Sequence, residues 1–259
     1  MKMYENLLTK LKNAAKARKE SMAIENGFST VAEFKSYLET QIKNLTVSSE
    51  SKELKTKVKP TIHVIDIIDC STSMSGSKHK EALIGINEGI KSLKQDTNAN
   101  FTYTICNFGD RKDIQIIGLK SQLPANEISF KVRGCTALYK SICEVFKEFA
   151  GTREKVLMNI YTDGEDNDST EEERTEAAQL IKKLNKKNFT ITFIGTRHDT
   201  AAVQRLLNID ASNTLSYDGT GEGLKKSLQV NNISRSTYSA KVAAGEDVRT
   251  GFYKTIVNK

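Results

Sequence analysis

Two hydrophobic rhythms alternate along residues 61–207. Short apolar runs, IHVIDII at 62–68, FTYTICNF at 101–108, VLMNIY at 156–161 and FTITFIG at 189–195, read as strands, because their β-branched and aromatic residues suit a pleated, buried surface. Between most of them apolar residues recur every three or four positions: Leu83, Ile86, Ile90 and Leu93; Leu138, Ile142, Val145 and Phe149; Ala177, Leu180, Ile181 and Leu184. That spacing places each set on one helix face, and a fourth helix is expected over about residues 200–207. Strands alternating with helices imply a largely parallel sheet. The run DIQIIGLKSQL at 113–123 follows the second strand after a few turn residues, too few for a crossover, and is expected as a hairpin partner at the sheet edge. The fold class is therefore α/β: a doubly wound, mostly parallel open sheet with one antiparallel edge strand, Rossmann-like, with helices on both faces.

The flanks keep the helical rhythm throughout. Tyr4, Leu7, Leu8, Leu11, Ala14 and Ala15 form one stripe. An Asn26-Gly27 turn follows, and Thr30 with Glu33 reads as a capping box opening a second helix, whose stripe is Val31, Phe34, Tyr37 or Leu38, Ile42 and Leu45. The expected organisation is an amphipathic helical hairpin over 1–47, a polar linker over 48–60, the α/β domain over 61–228, and a C-terminal helix with a basic tail over 229–259. The hairpin's apolar stripes need a surface to cover, on the α/β domain or on a partner subunit.

Composition narrows the class. At 259 residues, 38% hydrophobic and 27% charged, the chain has apolar material for a core. No apolar run approaches the roughly 18 residues of a membrane span, and the first 20 residues lack the uninterrupted apolar stretch of a signal peptide. A cytoplasmic location is expected, or a virion if the chain is phage-encoded. Cys70, Cys106, Cys135 and Cys143 form no CxxC pair, so neither a zinc ribbon nor a dithiol redox motif is written here. The net charge of +7 is carried by the flanks, +5 over 1–60 and +3 over 229–259, which leaves −1 in between. Lysines on solvated helix faces account for that excess without nucleic acid.

The candidate chemistry lies where the strands end, which is where open α/β sheets bind ligands. The first strand runs into Asp69-Cys70-Ser71-Thr72-Ser73-Met74-Ser75-Gly76, bringing a carboxylate and two hydroxyls to one loop. Arg133-Gly134-Cys135-Thr136-Ala137-Leu138-Tyr139 adds a hydroxyl at a helix start, and Tyr161-Thr162-Asp163-Gly164-Glu165-Asp166-Asn167 adds a second carboxylate. Each piece alone reads as a cap or turn former. Together, and in this order, they resemble the von Willebrand factor A-domain family and its metal-ion-dependent adhesion site, over roughly residues 61–228. The chain looks most similar to intracellular bacterial and bacteriophage members, through the loop at 162–167, Phe193-Ile194-Gly195 and the segment Ser234-Arg235-Ser236-Thr237-Tyr238.

The resemblance implies that Ser71, Ser73 and Thr136 bind a metal through hydroxyls, while Asp69 and Asp163 hold it directly or through water. Mg²⁺ suits such a set, being a hard ion that takes oxygen ligands and keeps waters; Mn²⁺ or Ca²⁺ are the other candidates. Because the direct ligands are mostly neutral, the ion stays electrophilic towards a carboxylate of a protein partner. The expected function is a Mg²⁺-dependent protein–protein interaction module engaging an acidic group, without catalysis. Two alternatives stay open: a nucleic-acid-associated protein using the basic flanks, and a metal-dependent hydrolase or phosphoryl-transfer enzyme, for which no G-x-x-x-x-G-K-[ST] loop is present.

Several neighbouring residues take structural expectations. Asp66, inside the first strand, should be buried and hydrogen-bonded. Cys70 and Cys135 should pack as small hydrophobes. His79 is expected as an exposed residue at a helix start, and Glu165, Asp166 and Asp168 as a solvated acidic rim. Thr72 and Cys135 stand where many relatives have Gly, which narrows the loops without removing a ligand.

Overall fold

The structure is a computed structural model that describes residues 5–7, 9–10, 14, 16–25, 29–50, 59–149, 151–184 and 188–254. The chain divides into two units, Met1–Val58 and Lys59–Lys259.

In the first unit, α1 spans Lys16–Glu25 and α2 spans Val31–Glu50. The capping box at the start of α2 forms as expected: Thr30 N donates to Glu33 Oε2 at 3.2 Å, and Glu33 N donates to Thr30 Oγ1 at 3.2 Å. Ala23, Phe34 and Leu38 are buried together, with Leu7, Met22 and Val31 packed against them. Helix α1 follows the stripe over 4–15 and runs to Glu25, just before the expected turn. One boundary shifts: α2 continues to Glu50, so the first three positions of the expected linker are helical. Tyr4, Leu8, Leu11, Ala15, the Asn26-Gly27 turn and residues 51–58 lie outside the described residues.

The second unit is built on a six-stranded sheet of order β3-β2-β1-β4-β5-β6. The strands are β1 Thr61–Asp69, β2 Asn100–Phe108, β3 Ile114–Ser121, β4 Lys155–Tyr161, β5 Phe189–Thr196 and β6 Thr214–Tyr217. Every pairing is parallel except β2 with β3, which is antiparallel and places β3 at the edge. The helices are α3 Ser77–Gln95, α4 Leu138–Phe149, α5 Glu171–Leu184, α6 Arg197–Leu207 and α7 Gly221–Ala244.

Strand β1 is central, paired to β2 on one side and β4 on the other. Alternate side chains of a strand face opposite ways. Ile62, Val64 and Ile68 accordingly join Ala82, Ile86, Ile90 and Leu93 of α3 and Leu224, Leu228 and Tyr238 of α7. On the other face, Ile65 and Ile67 join Leu138, Ile142, Val145 and Phe149 of α4, Ala177, Ile181 and Leu184 of α5, and Val203 and Leu207 of α6. Helices cover both faces, so β1, β4 and β5 are buried along nearly their whole length. Gly85 lets α3 and α7 close up: a Cβ there would lie 2.7 Å from a methyl of Leu228.

Asp66 shares the face of Val64 and Ile68, which makes it a charge in an apolar layer. Its carboxylate accepts from Tyr103 Oη of β2, from Asn159 Nδ2 of β4 at 2.8 Å, from Tyr161 Oη at 3.2 Å and from Arg235 Nη2 of α7. Burial, with the Asp66 charge adding to it, raises the Tyr103 phenol well above its ordinary range, so it remains a donor. The expectation of a hydrogen-bonded Asp66 holds, and its ionic partner Arg235 comes from a segment known beforehand only as part of a sequence resemblance.

The expected boundary at 228/229 falls inside α7, a single helix whose residues on both sides of that point, Leu224 and Tyr238 among them, are buried in the same core. The C-terminal helix is thus part of the α/β unit. Strand β6 was not anticipated, since only Leu215 and Tyr217 of its four residues are hydrophobic.

Candidate functional site

The chain leaves β1 towards β2 on one side, and later runs from β4 away on the other, so the strand order reverses between β1 and β4. At such a switch point the loops beyond the carboxyl ends splay apart and leave room for a ligand. Asp69 ends β1, and Asp163 lies two residues beyond the end of β4.

The first loop is pinned from below. Cys70 N donates to Phe108 O at 2.7 Å, and buried Met74 anchors a 3₁₀ turn at Thr72–Met74. Ser71 N donates to Asp69 Oδ1 at 2.7 Å, and Thr162 Oγ1 donates to Asp69 Oδ2 at 2.6 Å. Burial, followed by weaker opposing hydrogen bonds, raises the Asp69 carboxyl to about 6.

The hydroxyls then chain across to the second carboxylate. Ser71 Oγ and Ser73 Oγ are 2.8 Å apart, and Ser73 Oγ donates to Asp163 Oδ1 at 2.6 Å. The other oxygen of Asp163 pairs with Lys78 Nζ from the first turn of α3.

The loop before α4 is held to both neighbours. Thr72 N and Oγ1 donate to Gly134 O at 3.1 and 2.9 Å, and Thr136 N donates to Asn167 Oδ1 at 2.9 Å while Asn167 N returns a bond to Thr136 O at 3.0 Å. Gly134 has φ +72°, and a Cβ on it would lie 2.8 Å from Asp110 Oδ2, so this turn requires glycine.

All five sequence-derived positions therefore lie on three interlocked loops. Asp69, Ser71, Ser73 and Asp163 are linked by direct hydrogen bonds, and Thr136 is brought alongside through its backbone. Asp69, Ser71, Thr136 and Asp163 are buried. Among the described residues no group of three or more His, Cys, Asp or Glu is placed to hold a metal, so any ion here relies on hydroxyl oxygen. The donor set fits a hard cation. The 2.8 Å between the two serine oxygens is a hydrogen bond, and each hydroxyl keeps lone pairs that a cation can use.

Three expectations around the site are corrected. His79 is not free at a helix start: Nε2 lies 2.8 Å from Phe130 O and its ring meets Phe130 edge-on, which fastens the loop segment ahead of Gly134. Cys135 is exposed, because the tight Gly134 turn carries it outward, whereas Cys70 is buried and its thiol is pushed up to about 12 by burial. The acidic rim is in part structural. Asp166 accepts from Tyr139 N and from Ser169, and Asp168 accepts from Arg111 N at 2.6 Å, which closes the loop after β4; Glu165 alone of the three is exposed.

The contacts of three neighbours of the site escaped the sequence reading: Lys78 on Asp163, Thr162 on Asp69 and Asn167 on Thr136. Thr162 and Asn167 flank Asp163 inside the motif, and their positions next to a ligand were the available signal.

No protein-family model matches the chain, and no curated protein matches it. Solved structures do. A von Willebrand factor type A structure from Catenulispora acidiphila aligns at TM-score 0.51 and 18% identity, covering 73% of this chain and 44% of that one. The fold is that of a von Willebrand factor A domain. The same A-domain architecture aligns with the pilus adhesin SpaC from Lactobacillus rhamnosus GG at TM-score 0.55, 11% identity, 71% of this chain and 30% of that one. It also aligns with the PilB minor pilin from Streptococcus sanguinis at TM-score 0.52, 13% identity, 69% of this chain and 62% of that one. The chain thus spans less than two thirds of each of these three. No helix among the described residues is long and apolar enough to cross a membrane.

Proposed function

We propose that the A domain is a protein-interaction module that holds a divalent ion, Mg²⁺ by preference, through Asp69, Ser71, Ser73, Thr136 and Asp163, and uses it to engage an acidic group on an intracellular or virion partner. An A-domain fold implies an interaction module, and one of the similar structures is a pilus adhesin. The observation that carries the reading is the hydroxyl-bridged contact between the two strand ends: Ser71 to Ser73 to Asp163, closed by Asp69 beneath Ser71.

The residues divide the work. Asp69, tied by Ser71 N and Thr162 Oγ1, keeps its carboxylate fixed at the floor of the site. Ser71 and Ser73 turn their oxygens towards one another, and Asn167 keeps Thr136 in register with the loop that carries Asp163. A bound Mg²⁺ would supply an electrophilic centre whose remaining positions accept water or an outside carboxylate.

Binding of the ion is measured by calorimetry on the full chain. The parent should show one site for Mg²⁺, and Asp163→Ala or the Ser71→Ala/Ser73→Ala double variant should lose it. Equal binding by parent and both variants would reject the ligand assignment. For any partner captured by the parent, the same double variant, which retains every flanking lysine, should fail to bind, whereas an attraction due to the flanks would persist and respond chiefly to ionic strength.

A further inference from the structure

Lys78 stands in the first turn of α3, a turn with no acidic residue, where the helix backbone already presents positive partial charge. A cation is disfavoured at that end unless something holds it. Asp163 does so: Lys78 Nζ pairs with Oδ2, while Ser73 takes Oδ1. The Asp163 side chain is fully buried, whereas that of Lys78 is 21% exposed, so the lysine keeps a path to water that its partner lacks.

We propose that the Lys78 ammonium is a built-in competitor for the divalent ion, neutralising Asp163 when no ion is bound and leaving Oδ2 when one enters. The inference rests on the reading of the five oxygens as a metal site. Asp69 and Asp163 bring two negative charges. One lysine balances half of them, and a 2+ ion alone balances both, so the lysine and the ion together overcharge the site. Like charges a few ångströms apart in a partly buried setting repel strongly. Lys78 also has somewhere to go, because a rotation of its long side chain returns the ammonium to solvent while the backbone of α3 stays in place. The other hydrogen bonds need not break: a hydroxyl that donates to a carboxylate still has lone pairs for a cation, and each carboxylate oxygen has a second one. The Lys78 pair is the contact in direct competition. Its consequence is a threshold, in that the site fills only when the free ion is concentrated enough to displace an attached cation.

The test uses Mn²⁺, with the free ion measured by electron paramagnetic resonance, on the full chain. Lys78→Met should bind Mn²⁺ about tenfold more tightly than the parent. Lys78→Arg, which keeps the charge, should stay within about threefold of the parent, and Lys80→Met, which removes an exposed lysine from the same turn, should change little. Thermal unfolding gives an independent reading: without ion Lys78→Met should melt below the parent, and on adding Mn²⁺ it should gain more. Parent-like or weaker Mn²⁺ binding by a folded Lys78→Met overturns the competitor role. If in addition Asp163→Ala binds as the parent does, the metal site itself is misassigned; if Asp163→Ala loses the ion, the metal site stands and only the role of Lys78 falls.

Discussion

Arg235 of α7 reaches Asp66 in the middle of β1, and both side chains are almost fully buried, at 3% and 0% exposure. The pair binds the central strand to the last helix, with Tyr103, Tyr161 and Asn159 filling the remaining valences of the carboxylate. Removing one partner of such a pair strands the other in an apolar layer. Arg235→Met is therefore expected to cost about 3–5 kcal/mol in denaturant unfolding. Asp66→Asn/Arg235→Met should cost less than the sum of the two single changes, because neither leaves a lone charge. Strict additivity in that double-mutant cycle would show that the two groups are not energetically paired.

His63 gives a pH dependence. Burial, with Lys120 adding to it, lowers the imidazole from 6.5 to about 4, and its two nitrogens lie against Thr102 and Thr104 hydroxyls at 2.5 and 3.0 Å. Between those values the unfolded chain takes up a proton that the folded one refuses, so stability falls as pH drops from 6.5 towards 4. Asp69 acts in the opposite sense, since its raised carboxyl favours folding below 3.8 and loses that contribution as pH rises through about 6. The comparison of parent with His63→Gln isolates the histidine. Relative to that variant, the parent should lose about 2 kcal/mol between pH 6.5 and 4. A pH-independent difference would show that His63 titrates normally.

Asn167 is expected to act on the site through Thr136. Truncation to Ala leaves Thr136 N without its side-chain acceptor. Mg²⁺ affinity should fall about tenfold, as for other groups that orient a ligand, while the unfolding free energy changes by only about 1 kcal/mol. An unchanged calorimetric isotherm would mean that Thr136 does not need this support.

Chelation should leave the fold intact. The two apolar layers on either side of the sheet are built mainly from strand and helix side chains, so the core does not depend on an ion. Far-ultraviolet circular dichroism with and without chelator should coincide. A cooperative loss of helix signal on chelation would make the centre a structural one.

The strands and main helices were legible because β1, β4 and β5 are buried on both faces and read as near-continuous apolar runs, while α4 and α5 carry clean stripes. The edge strand β3 was legible from the short turn before it. Strand β6 was not, as four residues with two hydrophobic side chains leave no period to detect. The start of α7 was hidden because Gly221 and Gly223 weaken the helical signal in its first turn. Thr220 nonetheless caps that end by accepting from Gly223 N at 3.0 Å. The five candidate ligands could be found because each follows a strand or opens a helix within a short motif. Lys78 could not: a lysine among lysines at a helix start reads as a solvated charge, and its partner lies 85 residues away in sequence. The same holds for Arg235 and Asp66, which are 169 residues apart.

The most direct measurement of the central claim is the location of a bound ion. Substoichiometric Mn²⁺ added to the isotopically labelled full chain broadens nuclear resonances close to it. The account predicts that amide signals of Asp69–Ser73, Thr136 and Asp163 disappear first and return on chelation. The exposed carboxylates Glu171 and Glu172 in the first turn of α5 are the comparison for loose surface attraction of a divalent ion. Broadening centred there, with the three strand-end loops untouched, would contradict the assignment of the adhesion site.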